Sequence, residues 1–128
     1  MLVNINEIQK EIHKNAKEHG WWDEERTFGD IIALCHSELS EALEEYRDGN
    51  KIRPGEPAPM IYYSGGGYVA TSTTLTCKKP EGIAVELADC IIRILDYCGH
   101  AGIDIAEAIS IKHEYNKTRP YKHGGKVI

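Results

Sequence analysis

A chain of 128 residues, 41% hydrophobic and 27% charged, has the size and make-up of one globular domain over residues 1–128, which excludes two domains and a disordered chain. Its net charge of −5 argues against a dedicated nucleic-acid binder, but not against a small phosphorylated ligand whose charge a metal ion can offset. No run approaches the roughly 18 apolar residues of a membrane helix, and residues 1–20 lack the apolar core and cleavage site of a signal peptide, so no membrane partner and a cytoplasmic location are expected.

Asn4 to about His19 carries Ile5, Ile8 and Ile12 at helical spacing, and Gly20 is its expected stop. An aromatic, acidic connector follows, Trp21 to Glu25. Thr27 is suited to cap a second helix, with Asp30 in its first turn. The apolar residues Phe28, Ile31, Ile32, Leu34, Cys35, Leu39, Ala42, Leu43 and Tyr46 follow, and Gly49 marks the end. Residues 49–80 change character, holding four of the five prolines and the triplet Gly65–Gly67. Met60–Tyr63 and Tyr68–Thr76 are rich in Tyr, Val and Thr and flank Ser-Gly-Gly-Gly, which predicts a β-hairpin at about residues 59–77. At 32 residues the stretch is too long for a bare helix connection and reads as an insertion.

Pro80 and Glu81 are expected to open a third helix that runs to about His100, with Gly99 and Gly102 breaking it. Ile83, Val85, Leu87, Ile91, Ile92, Ile94 and Leu95 surround most of its circumference. A helix apolar nearly all round is buried, here partly against another subunit. A fourth helix is expected from about Asp104 to Lys117, before a basic tail. The architecture is therefore all-α, a four-helix-type bundle with an inserted hairpin. Cys35, Cys77, Cys90 and Cys98 are read as reduced thiols. Cys90 and Cys98, eight residues apart on one helix, would lie about 12 Å from each other, beyond the roughly 7 Å that a disulfide spans.

Two acidic pairs carry the chemistry. Glu38 and Glu41 stand three apart on the second helix, so their Cβ atoms are about 5–6 Å apart on one face. Glu45 continues that stripe. Glu86 and Asp89 repeat the spacing inside the most apolar helix of the chain, where acids are costly. Two such pairs facing each other form a set of hard oxygen ligands suited to Mg²⁺ or Mn²⁺ and not to zinc. The plainer alternatives are a solvated face for Glu44 and Glu45, paired with Arg47 or Lys51, and a salt bridge from Glu86 or Asp89 to Arg93.

The positive charges come late. Lys112, Asn116 and Arg119 fall on one helical face and its exit. Lys122, His123 and Lys126 surround Gly124-Gly125, an arrangement that can offer backbone N–H groups and charge to phosphate oxygens; the alternative is a solvated basic tail. Trp21, Trp22 and Phe28 could stack on a nucleobase, although packing is the commoner use of each. His36 and His100 read as packed or helix-end histidines. The chain carries no Ser-His-Asp pattern, P-loop or dinucleotide fingerprint.

The segments E-L-S-E-A-L-E-E-Y-R, E-L-A-D-C-I-I-R-I-L-D-Y and K-H-E-Y-N-K-T-R-P resemble those of the MazG-like nucleoside triphosphate pyrophosphohydrolases, members of the all-α NTP pyrophosphatase superfamily. The resemblance covers about residues 5–48 and 81–126. It implies a MazG-like helical bundle that forms a homodimer or homotetramer. It also implies cleavage of an NTP or dNTP between the α- and β-phosphates, giving a monophosphate and pyrophosphate. Glu38, Glu41, Glu86 and Asp89 would hold Mg²⁺, with Mn²⁺ as a substitute. Glu41 or Glu44 would activate water. Lys112, Asn116, Arg119, Lys122, His123 and Lys126 would contact phosphates, with Lys112 and Arg119 stabilising the leaving group and Trp22 touching the nucleotide. The sequence departs from the family in the 44 residues that separate Glu41 from Glu86. Narrower readings are a dUTP or dCTP pyrophosphatase, or a non-catalytic Mg-nucleotide-binding or interaction module. Phosphoribosyl-ATP hydrolysis would need a second ribose-phosphate pocket that no feature demands.

Overall fold

A computed structural model of the protein describes residues 4–50, 61–64 and 79–127. The described residues are mostly helical: α1 (Ile5–Glu18), α2 (Phe28–Arg47), α3 (Ile83–Ala101), α4 (Ile105–Lys117) and a single turn, α5 (Lys122–Gly125). Two short strands, β1 (Tyr62–Tyr63) and β2 (Pro80–Glu81), pair antiparallel with Tyr62 opposite Glu81 and Tyr63 opposite Pro80. The chain divides into two compact units, residues 24–94 and residues 1–23 with 95–128, so the boundary falls within α3.

In the first unit the Thr27 hydroxyl accepts the Asp30 N–H at 3.1 Å, and the Asp30 carboxylate accepts the Thr27 N–H at 3.2 Å. This reciprocal cap satisfies two donors that the helix start leaves unpaired. Along α2 the buried residues are Ile31, Cys35, Glu38 and Ala42, a stripe at helical spacing. Ile83 and Cys90 are the buried residues that α3 adds within this unit. Burial is the main cause that raises the Cys35 thiol above its ordinary range, with the neighbouring Cys90 thiol adding to it. Gly49 follows the end of α2 as expected, with the Asn50 N–H closing onto the Glu45 carbonyl at 3.1 Å.

The insertion departs from expectation where it is described. Tyr62–Tyr63 is extended, but its partner is Pro80–Glu81 and not the 68–76 segment, which lies outside the described residues with Cys77 and Lys51. Pro80 and Glu81 are strand, not helix. Gly82 has φ +117°, a conformation no right-handed helix admits, so α3 starts only at Ile83. Proline, which has no N–H to donate, is tolerated on so short an edge strand.

In the second unit Asn4 caps α1, accepting the N–H groups of Asn6 and Glu7 at 3.0 and 3.2 Å. Asp104 caps α4 by accepting the Glu107 N–H at 3.0 Å. The Gln9 side chain donates to the Ile103 carbonyl at 3.0 Å and links α1 to the α3–α4 turn. Gly99 does not break α3, which continues to Ala101. A Cβ at Gly99 would stand 2.7 Å from the His13 Cβ, so the glycine permits close approach of α1. Nor is α3 buried all round in the chain: Leu87, Ile91, Ile92 and Ile94 are exposed.

Candidate metal centre

α2 and the first turns of α3 meet through residues whose numbers rise on one helix and fall on the other. Cys35 faces Cys90, and Glu41 faces Glu86, the signature of antiparallel neighbours. This register gathers Glu38, Glu41 and Glu86, one carboxylate oxygen of each lying within 4.8 Å of the others. The three differ in setting. Glu38 is buried, Glu86 half-buried and Glu41 exposed.

Glu38 meets the cost of its burial with a cation. The Arg93 Nε donates to Glu38 Oε1 at 2.7 Å, and the Glu38 side chain is only 8% exposed. Glu86 settles differently. Burial, a hydrogen bond with Glu41, and the charges of Glu41, Asp89 and Glu38 push its carboxyl up to about 7. Near neutral pH, then, the cluster carries one arginine and a partly retained proton in place of full charge.

Asp89 is not one of the three gathered oxygens. One methylene shorter than glutamate, it stands beside the cluster, its carboxyl raised by burial and by Glu38 while Arg93 and Lys79 pull it down. Arg93 thus makes the ion pair anticipated for the second acidic pair, but with Glu38 of the first. Glu44 pairs with Arg47 at 3.0 Å on an exposed face, and only Glu41 of the two water-activating candidates lies in the cluster. Glu45 accepts from Asn50 Nδ2 at 2.6 Å and from the Tyr62 hydroxyl at 2.7 Å, which anchors β1 to the end of α2. That bond is the main reason the Tyr62 hydroxyl is raised to about 12.

The remaining candidates lie in the second unit. Lys112 Nζ stands 4.8 Å from the Tyr115 ring centroid and the Arg119 guanidinium carbon 5.8 Å from it, so one aromatic ring holds both cations. Tyr115 was not singled out by sequence reasoning, because a tyrosine at helical spacing looks like packing. Lys112 and Asn116 share a shallow hollow of about 410 Å³ with Ile105, Ala108, Ile109 and His113. In the tail, the N–H groups of Gly124 and Gly125 both close onto the Tyr121 carbonyl, and that of Lys126 onto Lys122. Those amides are therefore engaged within the turn. Lys122 and Lys126 are exposed.

Trp22 is held in a cluster that the sequence did not disclose. Its indole N–H donates to both oxygens of buried Asp96, at 2.9 and 3.1 Å. Its ring stacks on His100, with centroids 3.9 Å apart and planes 7° apart. The His13 Nδ1 is 2.8 Å from Asp96 as well. The available signal was an acid inside an apolar helix, the same one that pointed to Glu86 and Asp89. His36 and Phe28 are exposed.

The donor set of the cluster fits a hard divalent ion: oxygen ligands alone, three carboxylates, one of them holding a proton that an ion could replace. No protein-family model matches the chain, and no curated protein or solved structure matches it significantly. Among the described residues, no helix is long and apolar enough to cross a membrane.

Proposed function

We propose that the protein is a metal-dependent nucleoside triphosphate pyrophosphohydrolase with a MazG-like helical bundle, cleaving an NTP or dNTP between the α- and β-phosphates. The observation that carries this reading is the meeting of Glu38, Glu41 and Glu86 within 4.8 Å, from two motifs that lie 44 residues apart. Those residues, with Asp89 beside them, would hold Mg²⁺ or Mn²⁺. When bound, such an ion neutralises phosphate charge and acidifies water. Glu41, exposed and within the cluster, is the carboxylate to orient and deprotonate the attacking water. Lys112 and Arg119 enter the reading through the resemblance of their segment, as cations that would stabilise charge on the departing pyrophosphate. Asn116, Lys122, His123 and Lys126 belong to the reading through the resemblance of their segment. The exposed apolar residues of α2 and α3 support a homo-oligomer.

The test is pyrophosphate release from each NTP and dNTP with Mg²⁺, beside the Glu38→Gln/Glu86→Gln double variant. Release by the native protein and a loss of more than about 100-fold in the variant is the expected result. The profile across bases separates a broad enzyme from a dUTP- or dCTP-specific one. Nucleotide binding without release would overturn the catalytic reading in favour of a binding module.

A further inference from the structure

We infer that Arg93 is a positioning residue for the metal centre, fixing Glu38 so that one of its two carboxylate oxygens is committed to the arginine and the other is presented to the ion; this rests on the reading of Glu38, Glu41 and Glu86 as a divalent-metal site. The sequence places Arg93 four residues beyond Asp89, as if to neutralise that acid. The structure instead sets its Nε 2.7 Å from Glu38 Oε1, across to the other helix. Glu38 is the most buried member of the cluster, and a buried carboxylate without a partner is expelled or protonated. The side chain of Arg93 is itself only 28% exposed, so the pair is sheltered by its surroundings and little screened.

The geometry has a chemical consequence. A glutamate with both oxygens free can chelate an ion, swing away from it, or share a proton with a neighbour. A glutamate whose Oε1 is held by an arginine has one oxygen left and one orientation. It enters as a single-oxygen ligand. Partners that hold ligating carboxylates in this way commonly account for about 10–100-fold in metal affinity. A cation so close to the site also repels the incoming ion, which would favour removal of Arg93. The two effects have opposite sign, so one measurement separates them.

That measurement is Mn²⁺ titration of the full chain without nucleotide, following free Mn²⁺ by electron paramagnetic resonance and bound Mn²⁺ by water-proton relaxation. Arg93→Gln should weaken Mn²⁺ binding by about 10–100-fold and change the relaxation rate per bound ion, as Glu38 alters its share of the coordination sphere. Arg93→Lys keeps the charge but not the planar donor, and should still bind several-fold more weakly than the native protein. If the glutamine variant fails to fold by circular dichroism, the lysine variant carries the test alone. Native or tighter affinity in a folded variant would overturn the inference and make Arg93 a competing cation only. Absence of Mn²⁺ binding by the native protein would instead overturn the metal reading itself.

Discussion

Glu86 shows how one residue couples the fold to pH. In the folded chain its carboxyl is raised from 4.5 to about 7. Between those values the folded state binds a proton that the unfolded state has released, so stability falls as pH rises through that window and is level above it. Metal-free melts in a chelating buffer should therefore show a declining midpoint from about pH 4.5 to about pH 7. Glu86→Gln should flatten that decline. The stabilisation given by added Mg²⁺ should grow over the same window, because the ion and the proton compete for one carboxylate. An unchanged profile in the variant would place the proton elsewhere. Gly99 is a second single-residue lever. Alanine there puts a methyl carbon 2.7 Å from the His13 Cβ and 2.9 Å from its Cγ, the root of a side chain that cannot yield without shifting α1 or straining its bond to Asp96. Gly99→Ala should cost about 1–3 kcal/mol in urea unfolding, despite the better helix propensity of alanine.

At the scale of the element, the helices are joined by buried acids as much as by apolar contacts. Asp96, on the last turns of α3, receives both α1 through His13 and the connector through Trp22. No other described residue bonds His13 and Trp22 together, so Asp96→Ala leaves two donors without an acceptor. The expected loss is about 3 kcal/mol in urea unfolding, accompanied by a change in tryptophan fluorescence as the Trp22 stack on His100 loosens. A loss under about 1 kcal/mol would mean that water replaces the carboxylate readily. The insertion is tied differently. Its described start is fastened to α2 by the exposed Tyr62–Glu45 bond and by a ladder two residues long. An exposed bond of that kind contributes little to global stability, so Tyr62→Phe should leave the melting midpoint within about 2 °C of the native value.

The molecule as a whole leaves much apolar surface uncovered. Among the described residues no large side chain is wholly buried, while Phe28, Leu39, Leu43 and Tyr46 on α2, and Leu87, Ile91 and Ile94 on α3, are exposed. Stripes of this kind along two helices match what an obligate homo-oligomer covers. Leu43→Glu, placing a charge in that stripe at a residue 58% exposed in the chain, should lower the mass found by sedimentation equilibrium. A native protein that sediments as a monomer would remove the expectation. Helix positions were legible in the sequence because they depend on neighbours a few residues away: Thr27, Asp30, Asn4, Asp104 and Gly20 set starts and stops through local bonds. The acidic spacing was legible for the same reason, since three residues along a helix fix one face. Partners across helices were not. That Arg93 bonds Glu38 and not Asp89, that Asp96 receives Trp22, and that Gly99 admits His13 depend on how one helix lies against another. So does the pairing of Tyr62 with Glu81, which closes over residues far apart in the chain. Local hydrogen bonds and helical period wrote the first set into the sequence; burial and register between helices, which no single segment contains, decided the second.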